Sequence, residues 1–147
     1  MSDLYATNYT KRDRNVPRDF IPPKDVSGNI LISRDEYAVA STDEVTSGDI
    51  IYTGIRIPKG ARIIDAGMQM PATGATGKFK MGIVGDDDGL IAEIDPGAAN
   101  AFVRADALST LVGDAAAADM DIIITCTETT ADAGGKTLQA WVLFQYI

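Results

Sequence analysis

Three strand-like runs follow one another between Asp49 and Leu90 with almost nothing but turn residues between them. The segment reads DIIYTGIRI, PKG, ARIIDAGMQM, PATGATG, KFKMGIVG and then DDDG. β-Branched residues dominate the first run, and Gly54 in its middle marks a bulge or a close backbone approach. Pro58 pre-sets φ and Gly60 accepts positive φ, so Pro58-Lys59-Gly60 is a turn. In the second run Ile64, Ala66, Met68 and Met70 share one face, and Ile63, Asp65 and Gln69 the other. In the third, Phe79, Met81 and Ile83 alternate with Lys78, Lys80 and Gly82. Period-two patterning with one wet face predicts a compact antiparallel ribbon. Such a ribbon carries no reactive cluster of its own.

The same patterning extends to both sides. NILIS and YAVAS are short β-like runs split by the charged Arg34-Asp35-Glu36. MDIIITCTE places Met120, Ile122, Ile124 and Cys126 on one side. TLQAWVLFQYI is apolar on both sides through Trp141, Val142, Leu143 and Phe144, as only a central strand or one facing a subunit neighbour tolerates. Between them, TTADAGGK reads as a hairpin loop. From Asp95 to Ala118 the chain is rich in alanine and glycine, and AFVRADALSTL fits two turns of helix or a loop across the sheet. With about eight strands and no long helix, the chain is expected to be all-β. The architecture predicted is an antiparallel β-sandwich of jelly-roll type over residues 30–147.

Residues 1–29 have neither helical nor strand periodicity, and Pro17, Pro22 and Pro23 hold them extended. Leu4, Tyr5, Tyr9, Val16, Phe20 and Ile21 are spaced along this N-terminal arm like anchors, unlike the composition of a disordered tail. Two readings stand: an arm that covers its own domain, or one that lies across a neighbouring subunit. The residues expected to contact a partner are Tyr5, Tyr9, Arg12, Arg14, Phe20 and Ile21 on the arm, and Trp141 on the body. Trp141, Leu143 and Phe144, added to the arm's anchors, present more apolar surface than one sandwich covers, which predicts a homotrimer or a monomer that trimerises on its partner.

Charge divides at the same place. The arm holds five basic and four acidic residues, net +1, and the rest eight and seventeen, net −9, within a total of −8. An acidic body is a poor match for phosphate, and the interrupted Lys11-Arg12-Asp13-Arg14 run reads as a solvated or protein-binding arm. No direct nucleic-acid partner is expected. No apolar run approaches the length of a membrane helix, and no leader pattern opens the chain, so a soluble protein made in a cytoplasm is expected. Cys126 has no second cysteine to pair with and sits in an apolar strand as a small buried hydrophobe.

Catalysis finds little footing. The chain has no histidine, which removes the commonest general base and any serine–histidine or cysteine–histidine dyad. Gly74-Ala75-Thr76-Gly77-Lys78 is too short for a phosphate-cradling loop. Asp86-Asp87-Asp88 with Glu93 is the sharpest cation candidate, but it lacks the third spaced acid and the flanking helices of a calcium loop, and reads as a solvated hairpin turn. No enzyme activity, cofactor or metal is expected.

The run IRIPKGARIIDAGMQMPATGATGKFKMGIVGDDDGLIAE resembles small virion proteins of tailed bacteriophages, those that decorate or cement the icosahedral head. Their phrase (I/V)PKGARI.D opens a strand pair, a glycine-threonine turn follows, and then GLI. The closing GGKTLQAWVLFQYI resembles their terminal strand. The likeness covers about residues 50–95 and 119–147, the body and not the arm. It implies a β-sandwich, usually trimeric, bound to the major capsid protein on the capsid exterior of the virion and stabilising the shell. It carries over no functional residue. A tail, neck or fibre component is the nearby alternative. A carbohydrate-binding module would need exposed aromatics on a flat sheet face or cleft, and Trp141, in an apolar strand, is the only tryptophan.

Overall fold

The computed structural model describes residues 3–5, 30–72, 77–95, 101–105, 109–130 and 133–145, with the backbone alone at Asp3 and Tyr5. Nine strands occupy them: β1 (Asp3–Tyr5), β2 (Ile30–Ala38), β3 (Ile50–Ile57), β4 (Arg62–Met70), β5 (Lys78–Ile83), β6 (Asp86–Ile94), β7 (Ala101–Arg104), β8 (Met120–Glu128) and β9 (Thr137–Gln145). Two sheets form a β-sandwich, one ordered β1-β3-β8-β5-β6 and the other β2-β9-β4-β7. Every pairing is antiparallel except β1 on β3.

The expected ribbon is instead a weave. β3 lies in the five-stranded sheet, β4 in the four-stranded sheet, and β5 back in the first. Only β5 and β6 form a hairpin of consecutive strands, with Ile83 opposite Asp86. Its turn is Val84-Gly85, Gly85 having φ +97°, so the three aspartates open β6 and are not the turn. The Pro58–Gly60 turn and the Thr129–Lys136 connection are corners between layers, which corrects the hairpin expected at the latter. Hairpins and corners use the same turn residues, so local sequence does not separate them.

Three further expectations change. Ile30–Ala38 is one strand, paired with β9 along its whole length. It stays unbroken because Asp35 turns inward, only 5% exposed, and its carboxylate accepts the Gly54 N–H at 2.7 Å and the Glu36 N–H at 2.8 Å. In β4 the faces are not those of a regular strand: Ile63 is buried and Ile64 is 39% exposed. A register shift against β9 between Ile63 and Asp65 flips the phase there. Ala101–Arg104 is strand, not helix, and completes the four-stranded sheet on the edge of β4. The following residues stitch over the β3–β4 corner, the Gly60 N–H bonding to Ala116 O and the Gly113 N–H to Ile63 O.

Other readings hold. The register of β3 against β8 shifts between Tyr52 and Arg56, around Gly54. β9 is central, between β2 and β4. Between the sheets, Ile51, Ile55, Ile57, Ile63, Met68, Met70, Phe79, Met81, Leu90, Ile122 and Ile124 are all but inaccessible and form one core with Cys126. β8 is buried on both faces from Ile122 to Cys126, as a strand with neighbours on each side requires.

The arm is only partly described. Asp3–Tyr5 is a strand on the edge of β3, which corrects the expectation that strands begin at about Asn29. Leu4 packs against the core. Residues 6–29 lie outside the described residues.

Candidate interaction face

Alternation along β9 decides what the four-stranded sheet shows to its outside. Leu138, Ala140, Val142 and Phe144 belong to the core, so Gln139, Trp141, Leu143 and Gln145 point outward. Register sets their neighbours: Ile32 stands beside Leu143, Arg34 beside Trp141, and Gly67 beside Trp141 on the other flank. Ile32 is 66% exposed, Ile30 54% and Phe102 61%. Together with half-buried Trp141 and Leu143 they make one contiguous apolar surface, larger than scattered single residues would give.

Trp141 is held by an absence. A Cβ on Gly67 would lie 2.5 Å from the indole carbons, so glycine there lets the ring lie across β4. It thereby reaches Phe102 of β7, ring centroids 6.5 Å apart and planes inclined by 19°. Beside the indole, an open depression of ≈ 240 Å³ is lined by Ile32, Arg34, Asp35, Glu36, Gln139, Ala140 and Trp141. That is smaller than the roughly 300 Å³ at which cofactor and ligand clefts begin. It suits a single inserted side chain or sugar ring.

The charge of this face differs from that of the body. Arg34, Arg62 and Arg104 stand against Glu36 and Asp65, and Arg104 pairs with Asp65. The acidity lies elsewhere. On the other sheet Lys78 meets Glu128 at 3.1 Å and Glu93 at 3.7 Å, and Lys80 meets Asp87 at 2.9 Å. The hydrogen bonds to Glu128 and to Asp87 are the largest causes raising the two ammonium pKa values. Arg56 and Asp121 form a two-pronged pair, both contacts 2.8 Å.

Two carboxylates of the Asp86–Asp88 cluster are engaged by protein partners. Asp86 accepts from the Thr110 hydroxyl at 2.7 Å and Asp87 holds Lys80. Among the described residues no three acidic or cysteine side chains converge on a point where a cation could sit. No described helix is long and apolar enough to cross a membrane.

Of the residues expected to contact a partner, Trp141 lies at the centre of the outer face. Tyr5 is in β1, and Tyr9, Arg12, Arg14, Phe20 and Ile21 fall outside the described residues. Sequence reasoning missed Phe102, Ile30, Ile32 and Gly67. Alternation in NILIS carried a usable signal for Ile30 and Ile32, whereas Phe102 was hidden in an alanine-rich stretch.

No protein-family model matches this chain, and no curated protein does. Solved structures do. A chain in the capsid of Ralstonia phage GP4 matches 99% of this chain and 99% of its own length, with a TM-score of 0.72 at 20% identity. A chain in the capsid asymmetric unit of cyanophage Pam1 matches 89% of this chain and 94% of its own, with a TM-score of 0.58 at 15% identity. This β-sandwich therefore has the fold of chains found in bacteriophage capsids.

Proposed function

We propose that this chain is a non-enzymatic structural protein of a tailed-bacteriophage virion, one that binds the outside of the icosahedral capsid and stabilises it. The observation that carries this reading is a fold shared over nearly the full length of a chain in a phage capsid. The apolar, charge-balanced face around Trp141 on an otherwise acidic body supplies a surface for docking. We read the interleaved order β2-β9-β4-β7 over β3-β8-β5-β6 as a jelly roll, an architecture that recurs in viral capsid and lectin domains. The partner is the major capsid protein, and the docked form is a homotrimer with the N-terminal arm as a clasp.

A protein that binds the assembled lattice and not loose subunits stabilises the shell by mass action. Heads carrying it rupture at a higher temperature than heads stripped of it. Equal rupture temperatures at saturating occupancy would leave it a passive coat. Moderate salt weakens attachment only slightly if the apolar face carries the affinity, and strongly if an acidic rim does.

Sugar binding is a second reading, favoured by one observation: Phe102 and Trp141 form an aromatic platform on an outer sheet face. Titrating oligosaccharides while following Trp141 fluorescence tests it, with Phe102→Ala as the control. A flat titration with the native protein removes it.

A further inference from the structure

We propose that in the assembled protein β1 leaves its own body and lies on β3 of a second copy of this chain, so that neighbouring copies are joined by exchanged strands. Asp3, Leu4 and Tyr5 run parallel to Ile50, Ile51 and Tyr52 at the edge of the five-stranded sheet. Beneath them, β3 offers an edge row of backbone donors and acceptors that an extended segment of any copy can take. The pairing is three residues long and sends Leu4 against the core. Identical copies remake each of these contacts on exchange, so the trade costs no interaction.

The length of the connection points to the neighbour. Asp35 of β2 accepts the Gly54 N–H of β3, so these two strands lie next to each other across the layers. Tyr5 is opposite Tyr52, two residues short of Gly54, and Ile30 is five residues before Asp35. A return from Tyr5 to Ile30 within one copy, counting the two steps between strands, therefore covers at most roughly 35 Å. Residues 6–29, twenty-four in number, span up to about 80 Å when extended. A body of this chain length has a radius of gyration of about 15 Å and is about 40 Å across. The connection can thus reach more than twice as far as closure at home needs, and farther than the body is wide. A long tether also lowers the effective concentration of β1 at its own β3, and close packing of copies in an assembly raises it at the next one.

This inference rests on the reading of the chain as a self-associating virion component, and its test separates the two. Asp3 and Ile50 are paired positions on adjacent strands, within the Cα range that a disulfide bridges. The full chain carrying Asp3→Cys and Ile50→Cys, in a Cys126→Ala background, is oxidised after assembly and run on a non-reducing gel. Exchange shifts most of the protein from the monomer band to covalent dimers and larger bands. Should the double variant fold poorly, co-expression of the two single variants gives one covalent dimer, which pairing at home cannot produce. A disulfide confined to the monomer band, or free thiols throughout in folded protein, overturns the exchange. Head binding is measured separately on the native chain. Heads decorated by copies with β1 at home keep the proposed function and lose the exchange; exchanged copies that ignore heads do the reverse.

Discussion

At Gly67 the missing side chain is a structural part, because the indole of Trp141 occupies the space a Cβ would take. Gly67→Ala must lift the ring off β4 and away from Phe102. Overpacking of this kind costs about 1–3 kcal/mol. As Trp141 is the only tryptophan, the shift is read directly: urea unfolding moves to a lower midpoint, and native emission moves to the red. An unchanged emission maximum would mean that the ring does not rest there. Cys126 makes a second residue-scale case. Burial pushes its thiol from an ordinary value of 9.0 up to about 11, opposed by a backbone hydrogen bond from Glu128, with the nearby Asp49 and Glu128 charges adding to the rise. The folded chain therefore holds a proton that the unfolded chain gives up above pH 9. That contribution to stability is complete below pH 9 and is lost as pH rises towards 11. Tyr37, Lys78 and Lys80 are raised in the same direction, so the Cys126 share is isolated by comparison with Cys126→Ala. The variant loses less stability between pH 8 and pH 11 than the native chain, as measured by the denaturation midpoint.

Elements in this sandwich are joined by side chains as much as by ladders. Asp35 is the clearest example: a carboxylate in the middle of β2 reaches across the layers to the N–H that the Gly54 bulge leaves outside the β3–β8 ladder. A buried donor without its acceptor costs more than the bond itself contributes, so Asp35→Ala destabilises the chain by about 1.5–3 kcal/mol. Asp35→Asn, which keeps one acceptor oxygen, loses less. Equal losses for the two variants in urea unfolding would show that the bulge finds another partner. Thr53 works on the same bulge from the other side, donating its hydroxyl to Ile122 O at 2.6 Å. The glycine in β3 is thus a junction between β2, β3 and β8.

For the molecule as a whole, the edge of β3 that β1 covers is the liability. Deleting residues 1–28 removes β1 and Leu4 but none of the strands that enclose the core. The truncated body is expected to keep its β-sheet circular dichroism, to expose the β3 edge, and to associate more readily in light scattering. The same deletion weakens attachment to heads under the proposed clasp. An unfolded product would place the arm within the protein's own core. These outcomes are distinct from the heating of heads, which tests stabilisation, and from strand exchange, which tests where β1 lies.

The sequence alone determined some of the places where the chain bends and which strands have a wet side. Pro58 and Gly60 marked a turn, Gly54 a bulge, and the two-sided apolar run through Trp141 and Phe144 a central strand, because φ preference and period-two burial act over a few residues. It did not determine which layer each strand joins. Both sheets face one core, so a strand's alternation reads the same in either, and a corner is built from the same residues as a hairpin. Ile63 rather than Ile64 points inward because pairing with β9 places a register shift there. Ala101–Arg104 extends because the open edge of β4 supplies its hydrogen bonds, overriding the helix preference of the alanine-rich stretch around it. Phe102 and Trp141, some forty residues apart, share a face only because β7 and β9 flank the same strand at Gly67.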